Sequence, residues 1–99
     1  METKIYEEGD KTIVDVIGRV DTTTVADLEK EVMPIVEDVD DLVFNFENLE
    51  YISSAGLRLL LSIQKKMNQK SGKFALRNIN EFVQEVLDMT GFADIITVE

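Results

Sequence analysis

Two adjacent hydroxyls, Ser53 and Ser54, stand in the stretch EYISSAGLRLLL, residues 50–61, between the strand-like DLVFNF and a helical apolar run. Serines at a helix start can do two kinds of chemistry. As an N-cap, Ser53 can accept a hydrogen bond from the amide of Ala55 or Gly56. Ile52 and Leu57 then have the spacing of a hydrophobic staple. Only one hydroxyl is needed for that, so Ser54, at the first helical position, is free to carry a modification. A phosphate there adds about −1.5 to −2 charges at neutral pH. The positive end of the helix favours that charge, so the fold tolerates it. A partner docked on the same surface need not. Gly56, inside the first helical turn, costs about 1 kcal/mol relative to alanine, and its missing side chain suggests that another chain's backbone approaches there.

Other chemistry is scarce. The chain has no histidine and no cysteine, so the usual zinc sites, histidine-based triads and disulfides are excluded. The one Gly-Lys pair, Gly72-Lys73, is followed by Phe74 and has Met67 where a phosphate loop needs its first glycine. Counted from Asp38 as an EF-hand loop, the acidic segment places Val43 at the glycine position and Leu49 at the bidentate glutamate. A serine-nucleophile enzyme would need Asp21 or a lysine as base, which makes it a poor fit.

The net charge of −10 is unevenly spread: residues 1–53 carry four basic and fifteen acidic side chains, residues 54–99 six and five. Such a surface repels nucleic acid and anionic membranes and can attract a basic protein surface. Neither a signal peptide nor a membrane span is expected; a cytoplasmic location follows as an expectation. Ninety-nine residues suit one domain, long enough to bury roughly two thirds of its unfolded surface.

Hydrophobic periodicity supplies the elements that position the serines. TKIYEEGDKTIVDVIG reads as a hairpin turning at Gly9-Asp10. Asp21, Thr22 or Thr23 caps a first helix through about residue 37, with Pro34 expected to kink or end it. DLVFNF is a buried strand. The second helix spans 54–70, with Leu57, Leu60, Leu61, Ile63 and Met67 toward the core, Leu59 off that stripe and partly exposed, and Arg58, Lys65, Lys66 and Lys70 on a solvated face. Arg58 is close enough to the loop to meet an acidic partner or a phosphate. KFALRN is a strand, NEFVQEVLDM a third helix stopped at Thr90-Gly91, and DIITV a last strand. The order ββαβαβαβ argues for an α/β fold with a mixed, mostly parallel sheet.

The segments GRVDTTTVADL, VFNFENLEYISSAGLRLLL and LDMTGFADIITV, in this order of elements, resemble the STAS domain, and more narrowly the free-standing bacterial anti-sigma factor antagonists. The resemblance runs from residue 4 to residue 98 and implies one STAS-like domain over residues 1–99. The family loop usually reads Asp-Ser-Ser/Thr-Gly-Leu. Ser54 matches its phosphoacceptor and Gly56-Leu57 its Gly-Leu, whereas Ser53 replaces the aspartate and Ala55 the second hydroxyl, leaving Ser53 as the alternative acceptor. Asp21 matches a second family acid, placed near the serine loop. The resemblance implies a partner surface of Asp21, Thr22, Ser53, Ser54, Ala55, Gly56, Leu57 and Arg58. Its implied partners are an anti-sigma factor that is also a serine kinase and a metal-dependent serine phosphatase. Unmodified, such a protein binds the anti-sigma factor and frees the sigma factor; phosphorylated, it lets go. It is no enzyme and needs no cofactor, since ATP and magnesium belong to the kinase. The competing reading keeps the fold without the switch: a STAS module that binds another protein, or a ligand such as a nucleotide or lipid, without being modified.

Overall fold

The computed structural model describes residues 1–99. Strand β1 (Glu2–Glu8) turns at Gly9, whose φ of 62° lies in the left-handed region, and pairs antiparallel with β2 (Lys11–Val20). Helix α1 (Val25–Asp38) leads to β3 (Asp41–Asn45) and β4 (Leu49–Ile52); α2 (Ser54–Gln69), β5 (Lys73–Arg77), α3 (Glu81–Thr90), a 3-10 turn (Phe92–Asp94) and β6 (Thr97–Val98) follow. The sheet order is β1-β2-β3-β5-β6, parallel beyond the hairpin, with β4 also pairing β2. The expected α/β fold with its mostly parallel mixed sheet is thus observed, with one strand more than ββαβαβαβ.

That extra strand sets the site. The first half of β2, Thr12–Asp15, pairs with β3, and its second half, Gly18–Val20, pairs with β4. The switch falls between Asp15 and Gly18, and the pairing with β4 then shifts register between Gly18 and Arg19; Gly18 has φ 92° and donates its amide to the carbonyl of Asn48. Leu49 and Ile52 are buried, so β4 is anchored by its apolar ends.

One apolar cluster joins the helices to one face of the sheet. Val14, Val16, Leu42, Phe44, Phe74 and Leu76 come from the strands; Leu28, Val32 and Val36 from α1; Leu60, Ile63 and Met67 from α2; Val83 and Leu87 from α3. Strand neighbours alternate between faces, so Ile13 and Val43, buried yet outside this cluster, lie on the opposite face.

Three sequence expectations about the helices are corrected. Helix α1 continues through Pro34 to Asp38; Pro34 faces solvent while Val32 and Val36 hold the helix down on both sides of it. Leu59 is buried and Leu61 only half-buried: the covered face of α2 runs through Gly56, Leu59, Leu60, Ile63 and Met67 and leaves Leu61 at its margin. Lys70 leaves the solvated face: its Nζ donates to the carbonyl of Val36 at 2.5 Å, near the end of α1.

Candidate functional site

The serine loop joins β4 to α2. Ser53 has extended backbone angles (φ −87°, ψ 173°) and is the N-cap; its Oγ accepts from the amide of Gly56 at 3.3 Å, and its own amide donates to the Val20 carbonyl at 2.8 Å. It is 8% exposed. Ser54 begins the helix and is exposed. The hydroxyl pair therefore splits as the sequence suggested, one serine spent on the cap and the other turned outward. No acidic residue occupies the first turn of α2, and the leading amides of a helix have no intrahelical acceptor. The positive end of α2 thus has no negative side chain of its own to meet it.

Gly56 requires a different account from the one its sequence position suggested. It is buried, and a Cβ built on it would sit 2.6 Å from Cγ1 of Ile52 and 3.0 Å from Cγ1 of Val20. The missing side chain is filled by the fold's own core, where β2, β4 and the start of α2 close together, and not by a visiting backbone. Leu57 is likewise buried, at 5% exposure. Ser53, Gly56 and Leu57 shape the loop from beneath; Ser54 and Arg58, one helical turn apart, are exposed on it, with Ala55 half-buried between.

The neighbouring turn, after β2, lies beside the serine loop because Val20 pairs with Ile52. Asp21 does not cap α1 directly. The N-cap is Thr24, which makes no side-chain cap bond. The Asp21 carboxylate instead accepts from the Thr23 hydroxyl at 2.6 Å and the Thr23 and Thr24 amides at 2.9 and 3.2 Å, an Asx-type turn. The Thr23 hydroxyl bond above all, then the backbone donors, hold the Asp21 carboxyl below the usual carboxylate range. Thr22 is exposed at the turn's tip. Arg58 makes no ion pair with Asp21.

A group that sequence reasoning missed borders both loops. The Arg19 guanidinium lies 4.5 Å over the Tyr51 ring, Tyr51 stacks on Phe82 with centroids 5.8 Å apart, and Arg19 Nε is 4.0 Å from the Asp21 carboxylate. Alternation could have found half of it: Tyr51 and Arg19 are register partners next to the buried pair Ile52 and Val20, so they must point away from the core. Asn80, the cap of α3, brings Phe82 to them by donating to the Leu49 carbonyl at 3.2 Å.

These features define a small sheet-and-helix domain that presents an exposed helix-start hydroxyl next to an ordered acidic turn. A profile of the STAS domain matches residues 2–99, and the chain belongs to that family. An anti-sigma-B factor antagonist of Staphylococcus aureus is 30% identical over 98 residues, covering 98% of this chain and 85% of the relative. Among solved structures, an anti-sigma factor antagonist of Mycobacterium paratuberculosis superposes with a TM-score of 0.89 at 22% identity, covering 98% of this chain and 83% of that one. The Bacillus cell fate determinant SpoIIAA in its phosphorylated form superposes at 0.77 with 17% identity, covering 99% and 91%. No helix is long and apolar enough to cross a membrane.

Proposed function

We propose that this protein is an anti-sigma factor antagonist whose binding is switched by phosphorylation of Ser54. The observation that carries the reading is the division of labour in the serine pair. Ser53 is buried and committed to the cap, and Ser54 is exposed at the positive end of α2. The Staphylococcus aureus relative, named for antagonism of an anti-sigma factor, supports the class of partner. A fold relative described in a phosphorylated form supports the modification.

In this reading the unmodified loop, with Asp21, Thr22, Ser54, Ala55 and Arg58 outward, binds an anti-sigma factor that is also a serine kinase. The kinase transfers the γ-phosphoryl group of ATP to the Ser54 oxygen, releasing ADP and the hydroxyl proton. The product carries a dianion that the N-terminus of α2 stabilises by about 0.3–1 kcal/mol, the usual worth of a charge at a helix end. The fold therefore persists while the contact surface gains charge and bulk. A serine phosphatase returns the loop to its starting state. The protein is the substrate and the binding module in this cycle, and a cytoplasmic location suits it.

Ser54→Asp in a binding assay with the anti-sigma factor tests the reading: lost affinity with an unchanged melting temperature is expected. Undiminished affinity would leave the loop without a switching role and favour a STAS module that binds unmodified, for which Ser53 in place of the family aspartate is the supporting observation.

A further inference from the structure

Charge on this chain is segregated. Residues 51–80 hold six basic side chains and no acidic one, while the remaining residues hold four basic and twenty acidic. Three of the six lie on the outer face of α2. Ser54, Arg58, Ser62, Lys65, Lys66 and Gln69 recur at helical spacing and are all exposed, so one stripe starts at Ser54 and runs the length of the helix. At a rise of about 1.5 Å per residue, the 16 residues of α2 extend about 24 Å.

Arg58, Lys65 and Lys66 make no ion pair, although the chain has twice as many acidic as basic side chains. Lys11 and Arg77 are engaged by Glu99, Arg19 by Asp21, and Lys70 by the Val36 carbonyl. The three free cations line an open groove of about 450 Å³, together with the half-buried Leu61 and the hydrogen-bonding side chains of Ser62 and Gln69. Carboxylates are the complement of such a groove. A long polyanion or a plane of anionic lipid would overrun the stripe and meet the acidic remainder of the chain, and a second copy carries the same net charge of −10. A compact acidic patch on another protein meets neither obstacle.

We infer that the outer face of α2 is a docking track for a carboxylate-bearing surface of the anti-sigma factor, continuous with the serine loop at its first turn. The inference rests on the proposed antagonist role and is separate from the phosphorylation switch. Complementary charge of this kind speeds encounter and fixes the orientation of the partner.

Carbodiimide coupling, which joins a lysine amine to a touching carboxylate as an amide, tests this on the complex with the anti-sigma factor. Peptide mapping should find Lys65 or Lys66 joined to an aspartate or glutamate of the partner. Lys65→Glu combined with Lys66→Glu should weaken binding about tenfold at low salt, chiefly through slower association. The difference should shrink in about 1 M salt, where charges are screened within about 3 Å. Lys4→Glu changes an exposed cation on the sheet face away from the helices and should leave affinity within about twofold. The inference is overturned if neither lysine couples to the partner, if the double variant binds as the parent does, or if the protein alone gives a covalent dimer through these lysines, which would assign the stripe to a second copy. Ser54→Asp in the same assay keeps the two readings apart. Retained affinity there, with lost affinity in the lysine variant, removes the switch and supports the track; the converse removes the track and supports the switch.

Discussion

Replacing Gly56 with alanine separates an internal from an external reason for that glycine. The new methyl would lie 2.6 Å from Cγ1 of Ile52, 3.1 Å from its Cδ1 and 3.0 Å from Cγ1 of Val20. Neither neighbour can step aside readily. Ile52 is 3% and Val20 0% exposed, both are β-branched, and their strands are register partners. Overpacking of this kind costs about 1–3 kcal/mol; removing glycine from a helix returns about 1 kcal/mol. The net expectation is a loss of about 1 kcal/mol, or roughly a 5 °C drop in melting temperature for a domain of this size. Thermal unfolding followed by circular dichroism reads it. Made together with Ile52→Ala, the substitution should cost less than the two single changes added, since the clashing atom is gone. An unchanged or raised melting temperature for Gly56→Ala alone would refute the packing argument and return the explanation to a partner's approach.

The two serines should respond oppositely. Ser53→Ala should lose about 1 kcal/mol of stability, the usual worth of an N-cap, whereas Ser54→Ala should stay within about 0.5 kcal/mol; urea unfolding of both checks this, and a larger loss at Ser54 would contradict the assignment. Leu59→Ala should cost about 2–3 kcal/mol as a core truncation, where a partly exposed leucine would lose far less; the same urea series decides. Asp21 gives a pH signature. Its folded-state pKa lies below its unfolded value, so its contribution to order is complete above the ordinary aspartate pKa of about 3.9 and fades as pH falls through the lower, folded value. Carboxyl chemical shifts followed through acid titration should show Asp21 titrating below the ordinary aspartate value, and Asp21→Asn should remove much of the acid dependence at the Thr23 and Thr24 amides.

Much of the fold was legible because its signals are local. The Gly9 turn, the Ser53 cap and the left-handed Gly91 at the end of α3 each follow from one residue's own backbone or side-chain chemistry. What stayed hidden depends on tertiary contacts. Strand β4 has four residues and exists because β2 changes partner at Gly18. Leu59 is buried because it joins the apolar cluster that the helices and the sheet build together. Asp21 looked like a helix cap, and its carboxylate does bind amides, but those of a turn that precedes the helix, so the cap position moves to Thr24. The serine site was readable for the same reason as the caps, since one hydroxyl satisfies the helix and the next has nothing to satisfy. The Arg19–Tyr51–Phe82 stack was not, because three separate elements converge to build it.

Phosphosite mapping after incubation with the partnering serine kinase and ATP tests the central claim most directly. One phosphate is expected, on Ser54, absent from Ser54→Ala and retained by Ser53→Ala. A phosphate on Ser53, or equal incorporation into Ser54→Ala, would contradict it.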